Sequence, residues 1–276
     1  MRSVSGTGRG LGSPARTQIL TLWARLVEDF KQIRMDRLIL VLIIISAIYW
    51  EANSQTMNDS LTNATILIAQ RRSNEAETIL NSLIKHKKIK NDVLMYRCQA
   101  YYQMGDYNKA FEDANEMLKD SKALTENQKY NAYWNASVSL VIQNKFAESL
   151  EYAVKAQKLK SKELKTNQTL ALVYMNLSRF DESMKYIKVC RKISPTHFGN
   201  YKLLGQLHLM KGELNDALLN YDKSISLNPN YGPAYENRAT VKLKLDDKEG
   251  ACSDLNKALS LGLTHLTSFI DEICNH

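Results

Sequence analysis

Apolar residues along most of this chain recur at three- and four-residue intervals, the spacing that lines one face of a helix. The clearest stretch is Tyr201–Pro229, YKLLGQLHLMKGELNDALLNYDKSISLNP. Tyr201, Leu204, Gly205 and His208 fall along one face of a first helix, and Lys211-Gly212 joins it to a second. The second carries Leu214, Ala217, Tyr221, Ser224 and Ile225 at helical spacing, and Pro229 prevents it from continuing. Gly205, Ala217 and Ser224 are small where two helices must approach closely, with large residues beside them to fill the gaps. The pattern predicts a pair of short amphipathic helices packed against each other.

The same arrangement returns along the chain. With Phe198 as position 1, Tyr201, Leu204, Gly205, Ala217, Tyr221 and Pro229 stand at positions 4, 7, 8, 20, 24 and 32, with the small Ser224 at 27. This pattern resembles the tetratricopeptide repeat, a helix-turn-helix unit of 34 residues. His208 departs from it, standing at position 11 where the family has an aromatic residue. Six units fit the frame, 57–90, 91–124, 130–163, 164–197, 198–231 and 232–265, with 125–129 (TENQK) read as a longer loop. In the last four units position 8 reads Ser137, Ala171, Gly205, Ala239 and position 20 reads Ser149, Ser183, Ala217, Ala251. Position 4 holds Tyr133, Tyr201 and Tyr235, with Asn167 as the exception, and the first two units fit more loosely. No unit of this kind buries its apolar face alone, so the units must stack and the stack must end in a cap. The resemblance therefore implies an all-α protein, a right-handed superhelical α-solenoid over 55–276. Residues 266–276 are its capping helix, with Leu266, Phe269, Ile270 and Ile273 on one side. The run GACSDLNKALSLG near the C-terminus is also similar to exported tetratricopeptide proteins of Bacteroidota.

A different pattern interrupts at the N-terminus. Residues 1–34 read as an upstream extension: a Gly-, Ser- and Arg-rich disordered start, then an amphipathic stretch over 18–34 with Ile19, Leu20, Trp23, Leu26, Val27 and Phe30 on one side. Leu38–Trp50 is an apolar run of 13 residues behind Arg37, followed by Ala52-Asn53-Ser54 with small residues at −3 and −1 before Gln55. That order, over 35–54, makes a secretory signal peptide. The favoured expectation is translation from Met35 and export to a periplasmic or envelope location. The alternatives are an uncleaved anchor through 38–50, and an Arg- and Ser-rich presequence followed by an anchor. The run is short for a membrane span, which needs about 20 residues.

Composition narrows the chemistry. Four prolines and 11 glycines suit long helical stretches better than a turn-rich β-protein. The net charge is +8, but seven of the 37 basic and four of the 29 acidic residues lie in 1–54, leaving a mild 30 against 25 for the body. That balance gives no argument for nucleic acid. His86, His197, His208, His265 and His276 are scattered without ligand spacing, so no metal is expected. No phosphate-binding loop and no nucleophile motif is present, so no catalytic residue, cofactor or small-molecule substrate is expected. Glu112-Asp113, Asp246-Asp247 and Asp271-Glu272 fit a solvated face or a turn. Lys85–Lys90 and Lys155–Lys165 read as solvated lysines at helix ends, or alternatively as a patch for an acidic partner. Cys98 and Cys190 occupy small-residue packing positions and read as buried thiols. If the body is exported, a disulfide between Cys252 and Cys274 would staple the cap down.

The resemblance also implies where binding would occur. In this family the first helices line a concave groove through positions 2, 5, 9 and 12. Here those positions bring Met95, Gln99, Tyr102, Trp134, Val138, Val141, Gln168, Leu172, Lys202, Gln206, Leu209 and Glu236, with Leu61, Ile68, Met175 and Thr240 beside them. The lining is apolar and aromatic in the middle and polar towards the C-terminal end, which suits an amphipathic helix or an extended apolar peptide. The expected function is a non-enzymatic protein-interaction scaffold with a protein or peptide partner. The alternative is an envelope assembly or accessory factor that meets an acidic partner through its lysine-rich loops. The membrane enters only through the N-terminal apolar segment, if it is retained.

Overall fold

The structure is a computed structural model and describes residues 35–274, so the expectations for residues 1–34 lie outside it. Among the described residues every regular element is helical: thirteen α-helices and three short 3-10 turns. They fall into two compact units, one ending at Leu83 and one beginning at Ile84.

In the first unit, α1 (Met35–Ala69) is a single helix of 35 residues and α2 (Ser73–Leu83) folds back on its end. Ala64, Leu67 and Ile68 of α1 are buried with Ala76, Leu80 and Leu83 of α2, so Ile68 is a packing residue and not a groove residue. The N-terminal half of α1 is mostly exposed among the described residues. Ile39, Leu40, Leu42, Ile43, Ile44, Tyr49 and Trp50 are all exposed. By length and composition this helix could cross a membrane. It runs through Ser54–Gln55 without a break, so the apolar run and the first repeat helix share one continuous element.

The second unit consists of five hairpins. They are α3 (Lys90–Met104) with α4 (Tyr107–Leu118), α5 (Glu126–Ile142) with α6 (Phe146–Leu159), and α7 (Leu164–Asn176) with α8 (Phe180–Ile193). Then come α9 (Phe198–Met210) with α10 (Leu214–Leu227), and α11 (Gly232–Lys244) with α12 (Lys248–Ser260). Each hairpin turns on one left-handed residue: Gly105, Asn144, Ser178, Gly212 and Asp246, as Arg71 does between α1 and α2. All six stand at position 15 of the repeat frame. The next N–H reaches back to a carbonyl five residues earlier, as Asp106 N does to Tyr101 O (2.9 Å) and Glu213 N to His208 O (2.9 Å). This is the Schellman closure, which satisfies helix-end carbonyls.

Close approach between paired helices follows the small positions. A Cβ on Gly205 would lie 2.8 Å from the Tyr221 ring, which is why only hydrogen fits there. Where serines replace glycine and alanine they satisfy one another, Ser137 Oγ and Ser149 Oγ lying 2.9 Å apart. Ser183 Oγ donates to Ala171 O at 2.8 Å. In the last three units position 4 ties the repeat to the one before it. Tyr201 OH donates to Pro195 O (3.0 Å) and Tyr235 OH to Pro229 O (3.1 Å). Asn167, the exception in sequence, keeps the function by donating to Ser161 O and Glu163 O.

Two expectations need correction here. Residues 125–129 are not a longer loop: Thr125 and Gln128 form a capping box and α5 starts at Glu126, so most of the insertion lengthens a first helix. Asp113 is not solvated. It is buried and takes a two-pronged contact from Arg97 (2.7 and 2.8 Å). Asp254 repeats this with Arg238, at the same two repeat positions, and Lys242 joins it at 2.9 Å. A buried carboxylate without such a partner would be strongly destabilising, so the arginines are obligatory companions.

The end of the array is covered by a 3-10 turn, Thr264–Leu266, and α13 (Thr267–Cys274). Leu266 and Ile270 are buried against Tyr235, Ala239, Ala251, Leu255 and Ala258. Phe269, expected on the buried side, is exposed, because the eight-residue helix presents only one narrow stripe to α12. Cys252 and Cys274 are joined by a disulfide, S–S 2.04 Å. Cys98 and Cys190 are free and buried.

Candidate peptide-binding groove

The residues that the repeat frame assigns to the inner row lie on five first helices: Met95, Gln99 and Tyr102 on α3, Trp134, Val138 and Val141 on α5, Gln168 and Leu172 on α7, Lys202, Gln206 and Leu209 on α9, and Glu236 on α11. None of the twelve is buried; Gln99 and Tyr102 are exposed and the others half-buried. Their sequence neighbours are buried: Cys98 and Tyr101, Ala136 and Ser137, Ala171, Leu203 and Leu204, Tyr235. The alternation arises because positions 7, 8 and 11 meet the second helix, whereas 5 and 9 lie about a third of a turn or more from the middle of that face. Met175, at position 12, breaks the rule and is fully buried beneath Leu203, Leu204 and Leu207. It is a core residue.

Side chains of this row bridge neighbouring repeats. Asn131 Nδ2 reaches Met95 Sδ at 3.4 Å, and Gln128 Nε2 donates to Asp92 Oδ1 at 2.7 Å. Gln168 Nε2 donates to Asn200 Oδ1 at 2.9 Å and lies 3.4 Å from His197 Nδ1. His265 Nε2 lies 3.0 Å from Glu236 Oε1, so the segment before α13 touches the row's C-terminal end.

The centre is aromatic and cationic. Lys165 Nζ lies 3.9 Å above the Trp134 ring, and the Trp134 indole N–H is buried without a hydrogen-bond partner among the described residues. Burial pushes the Lys165 ammonium below its usual pKa, and Glu163 opposes the shift. Lys202 is lowered by the same cause, with Glu236 opposing, and it donates a hydrogen bond to Gln206 Oε1 at 3.2 Å. Tyr102 packs edge-on against Tyr107, ring centroids 5.5 Å apart, and burial raises its phenol pKa.

Lys165 was missed as a row member, although position 2 of its repeat already marks it. The lysine run around it is also less free than the sequence suggests. Lys160 lies 4.6 Å from the Tyr130 ring, and Lys155 lies 5.6 Å and 5.8 Å from the Tyr133 and Tyr152 rings. Lys90, in the other run, pairs with Glu116 at 2.8 Å. Ring contacts and ion pairs hold these side chains, which corrects the reading of a purely solvated face.

His208, Glu213 and Asp216 bring three metal-type donors within 4.8 Å of one another. Glu213 already binds the Lys211 ammonium and the His208 ring, contacts that hold its carboxyl below the usual pKa range, Lys211 most. Glu213, at the start of α10, thus joins His208 and Lys211 across the α9–α10 turn.

Residues 164–197, which are α7, α8 and the turn that follows, match the tetratricopeptide repeat family. Over 191 residues the chain is 23% identical to Protein NPGR2 of Arabidopsis thaliana, a match covering 68% of this chain and 23% of that protein. The chain therefore spans under a quarter of that relative's length. Among solved structures, a tetratricopeptide repeat protein from Parabacteroides merdae ATCC 43184 superposes with TM-score 0.68 at 18% identity, covering 95% of this chain and 98% of that one. A chain of the APC/C hetero-tetramer Cut9-Hcn1 gives TM-score 0.62 at 14% identity over 81% of this chain and 43% of its own. A thermophilic TPR protein in Thermus thermophilus gives 0.54 at 19%, over 68% and 99%. At these identities the superpositions speak for the fold.

Proposed function

This chain carries tetratricopeptide repeats in a solenoid built from them, and we propose that it is a non-enzymatic scaffold that holds a protein segment along the inner row of its first helices. A tetratricopeptide fold implies protein-interaction work. What supports a groove on this chain is one observation: Tyr102, Trp134, Val138, Val141, Leu172 and Leu209 all keep accessible surface, while Tyr101, Ala136, Ser137, Ala171, Leu203 and Leu204 on the same helices are packed away. Apolar residues left accessible in one row across four helices mark a partner site more often than scattered ones do. The apolar stretch over α3–α7 suits the apolar face of a helix or an extended peptide, and the polar end at Lys202, Gln206 and Glu236 sets its direction. The same proposal places the array outside the cytoplasm, exported by the 35–54 segment or held at the membrane by 38–50.

The test is selection from a displayed random-peptide library against the oxidised protein. Wild type enriches sequences with apolar residues at regular spacing, and their binding survives raised salt. Trp134→Ala with Tyr102→Ala weakens it by about 2 kcal/mol or more, roughly 30-fold, as expected for aromatic anchors. Unchanged binding by the double variant removes the groove from consideration, and salt-sensitive binding moves the contact to the lysine loops.

A further inference from the structure

The array ends in an element too short to hold itself in place. The cap is one 3-10 turn and the eight residues of α13, whereas isolated helices shorter than about 12–15 residues are marginal in water. It buries only Leu266 and Ile270, and its exposed Phe269 adds little. Its far end is held covalently, through Cys274 to Cys252 on α12, closing a loop with a sequence separation of 22. Both cysteines are half-buried rather than enclosed. The two free cysteines offer no internal one. Cys98 and Cys190 are buried at close-packed helix crossings, and burial pushes both thiols up, Cys190 to about 12, so neither supplies a thiolate. The cap also touches the inner row, where His265 Nε2 lies 3.0 Å from Glu236 Oε1.

We propose that Cys252–Cys274 is a redox latch whose reduction by a dithiol releases the cap and, with it, the hold of His265 on Glu236. In the step the protein disulfide takes up two electrons and two protons to give two thiols. The dithiol, a small molecule or an exposed Cys-x-x-Cys protein, passes through a mixed disulfide and leaves as its own disulfide. Release uncovers the apolar end of the last repeat, with Leu255 and Ala258 at its centre, and frees a carboxylate at the polar end of the row. The effect on ligand binding rests on the groove reading above; the latch itself does not.

Hydrogen exchange of the full chain, oxidised and after dithiothreitol followed by alkylation, tests it. Amides of 264–274 exchange about 100-fold faster once reduced, the scale expected for opening a cross-link over a loop of this length, while α5–α8 do not change. Cys252→Ser with Cys274→Ser reproduces the fast exchange without reductant, and reduced wild type stands in if that variant misfolds. Equal exchange of 264–274 in both states overturns the latch, and so does recovery of four alkylated thiols from the untreated protein. For the row, a library-selected peptide binds with altered affinity after reduction, and His265→Ala produces that change with the disulfide intact. If no peptide binds in either state, the groove reading fails, and the exchange data still decide the latch.

Discussion

Six hairpin turns use a left-handed residue, yet of these only Gly105 and Gly212 are glycines; Arg71, Asn144, Ser178 and Asp246 hold φ near 60° with a side chain attached. That conformation costs an L-residue roughly 1–2 kcal/mol, with asparagine and aspartate best able to tolerate it. Ser178 is the informative case, being exposed and lacking their local hydrogen-bonding compensation. Ser178→Gly relieves that strain and gives back about 0.4–1 kcal/mol through the more flexible unfolded chain, for a net stabilisation near 1 kcal/mol. The reverse exchange, Gly212→Ser, meets no steric obstacle, since nothing lies within 4 Å of a Cβ built there. It therefore isolates the backbone term and should destabilise by about the same amount. Urea titration followed by far-ultraviolet circular dichroism measures both, with slopes compared because a repeat array need not unfold in one step. The melting temperature should rise and fall by roughly 2–4 °C. If Ser178→Gly lowers the midpoint and Gly212→Ser raises it, unfolded-state entropy outweighs the strain and the reasoning is wrong.

Gly205→Ala drives a Cβ to 2.8 Å from the Tyr221 ring, so it should destabilise by about 1–3 kcal/mol, read in the same titration. Asp254→Ala takes the buried carboxylate from Arg238 and Lys242, leaving Arg238 its exposed partner Asp222 and Lys242 the Gly250 carbonyl, and should cost about 1–3 kcal/mol by thermal melt, below the upper range for buried pairs because both cations keep a partner and are partly exposed. Arg238→Leu with Asp254→Asn copies Leu204 and Asn220 at the same repeat positions and should recover much of that loss. Glu116 is held down to about 2, first by its hydrogen bond to Lys119 and then by Lys90, against an ordinary value near 4.5. Its contribution is thus complete above about pH 4.5 and fades as pH falls towards 2, and Glu116→Gln should flatten that part of a stability-versus-pH curve.

How much of this could be read without coordinates follows from the range of each interaction. Helical spacing, the small residues at positions 8, 20 and 27, and the closing Pro195 and Pro229 are local signals, and they sufficed for an all-α repeat hairpin and its stacking. The six left-handed turns were less visible, because Arg71 and Ser178 are residues that no turn rule would choose; the Schellman bonds around them impose the conformation. Residues 125–129 look like a loop until Thr125 and Gln128 are seen to cap a helix. Asp113 looks solvated until Arg97, sixteen residues earlier, turns in to meet it, as Arg238 does with Asp254. The inner row shows the division most plainly. Position numbers alone nominate Leu172 and Met175 together, three residues apart on α7. Periodicity places both near the same face, but only the neighbouring hairpin decides that Met175 is enclosed with Leu203, Leu204 and Leu207 while Leu172, at the edge of that cluster, stays half-exposed. The sequence by itself determined the repeating helical hairpin, because its pattern depends on contacts within one unit; which residues remain free to meet a partner was decided by the tertiary structure, because that depends on what the next unit covers.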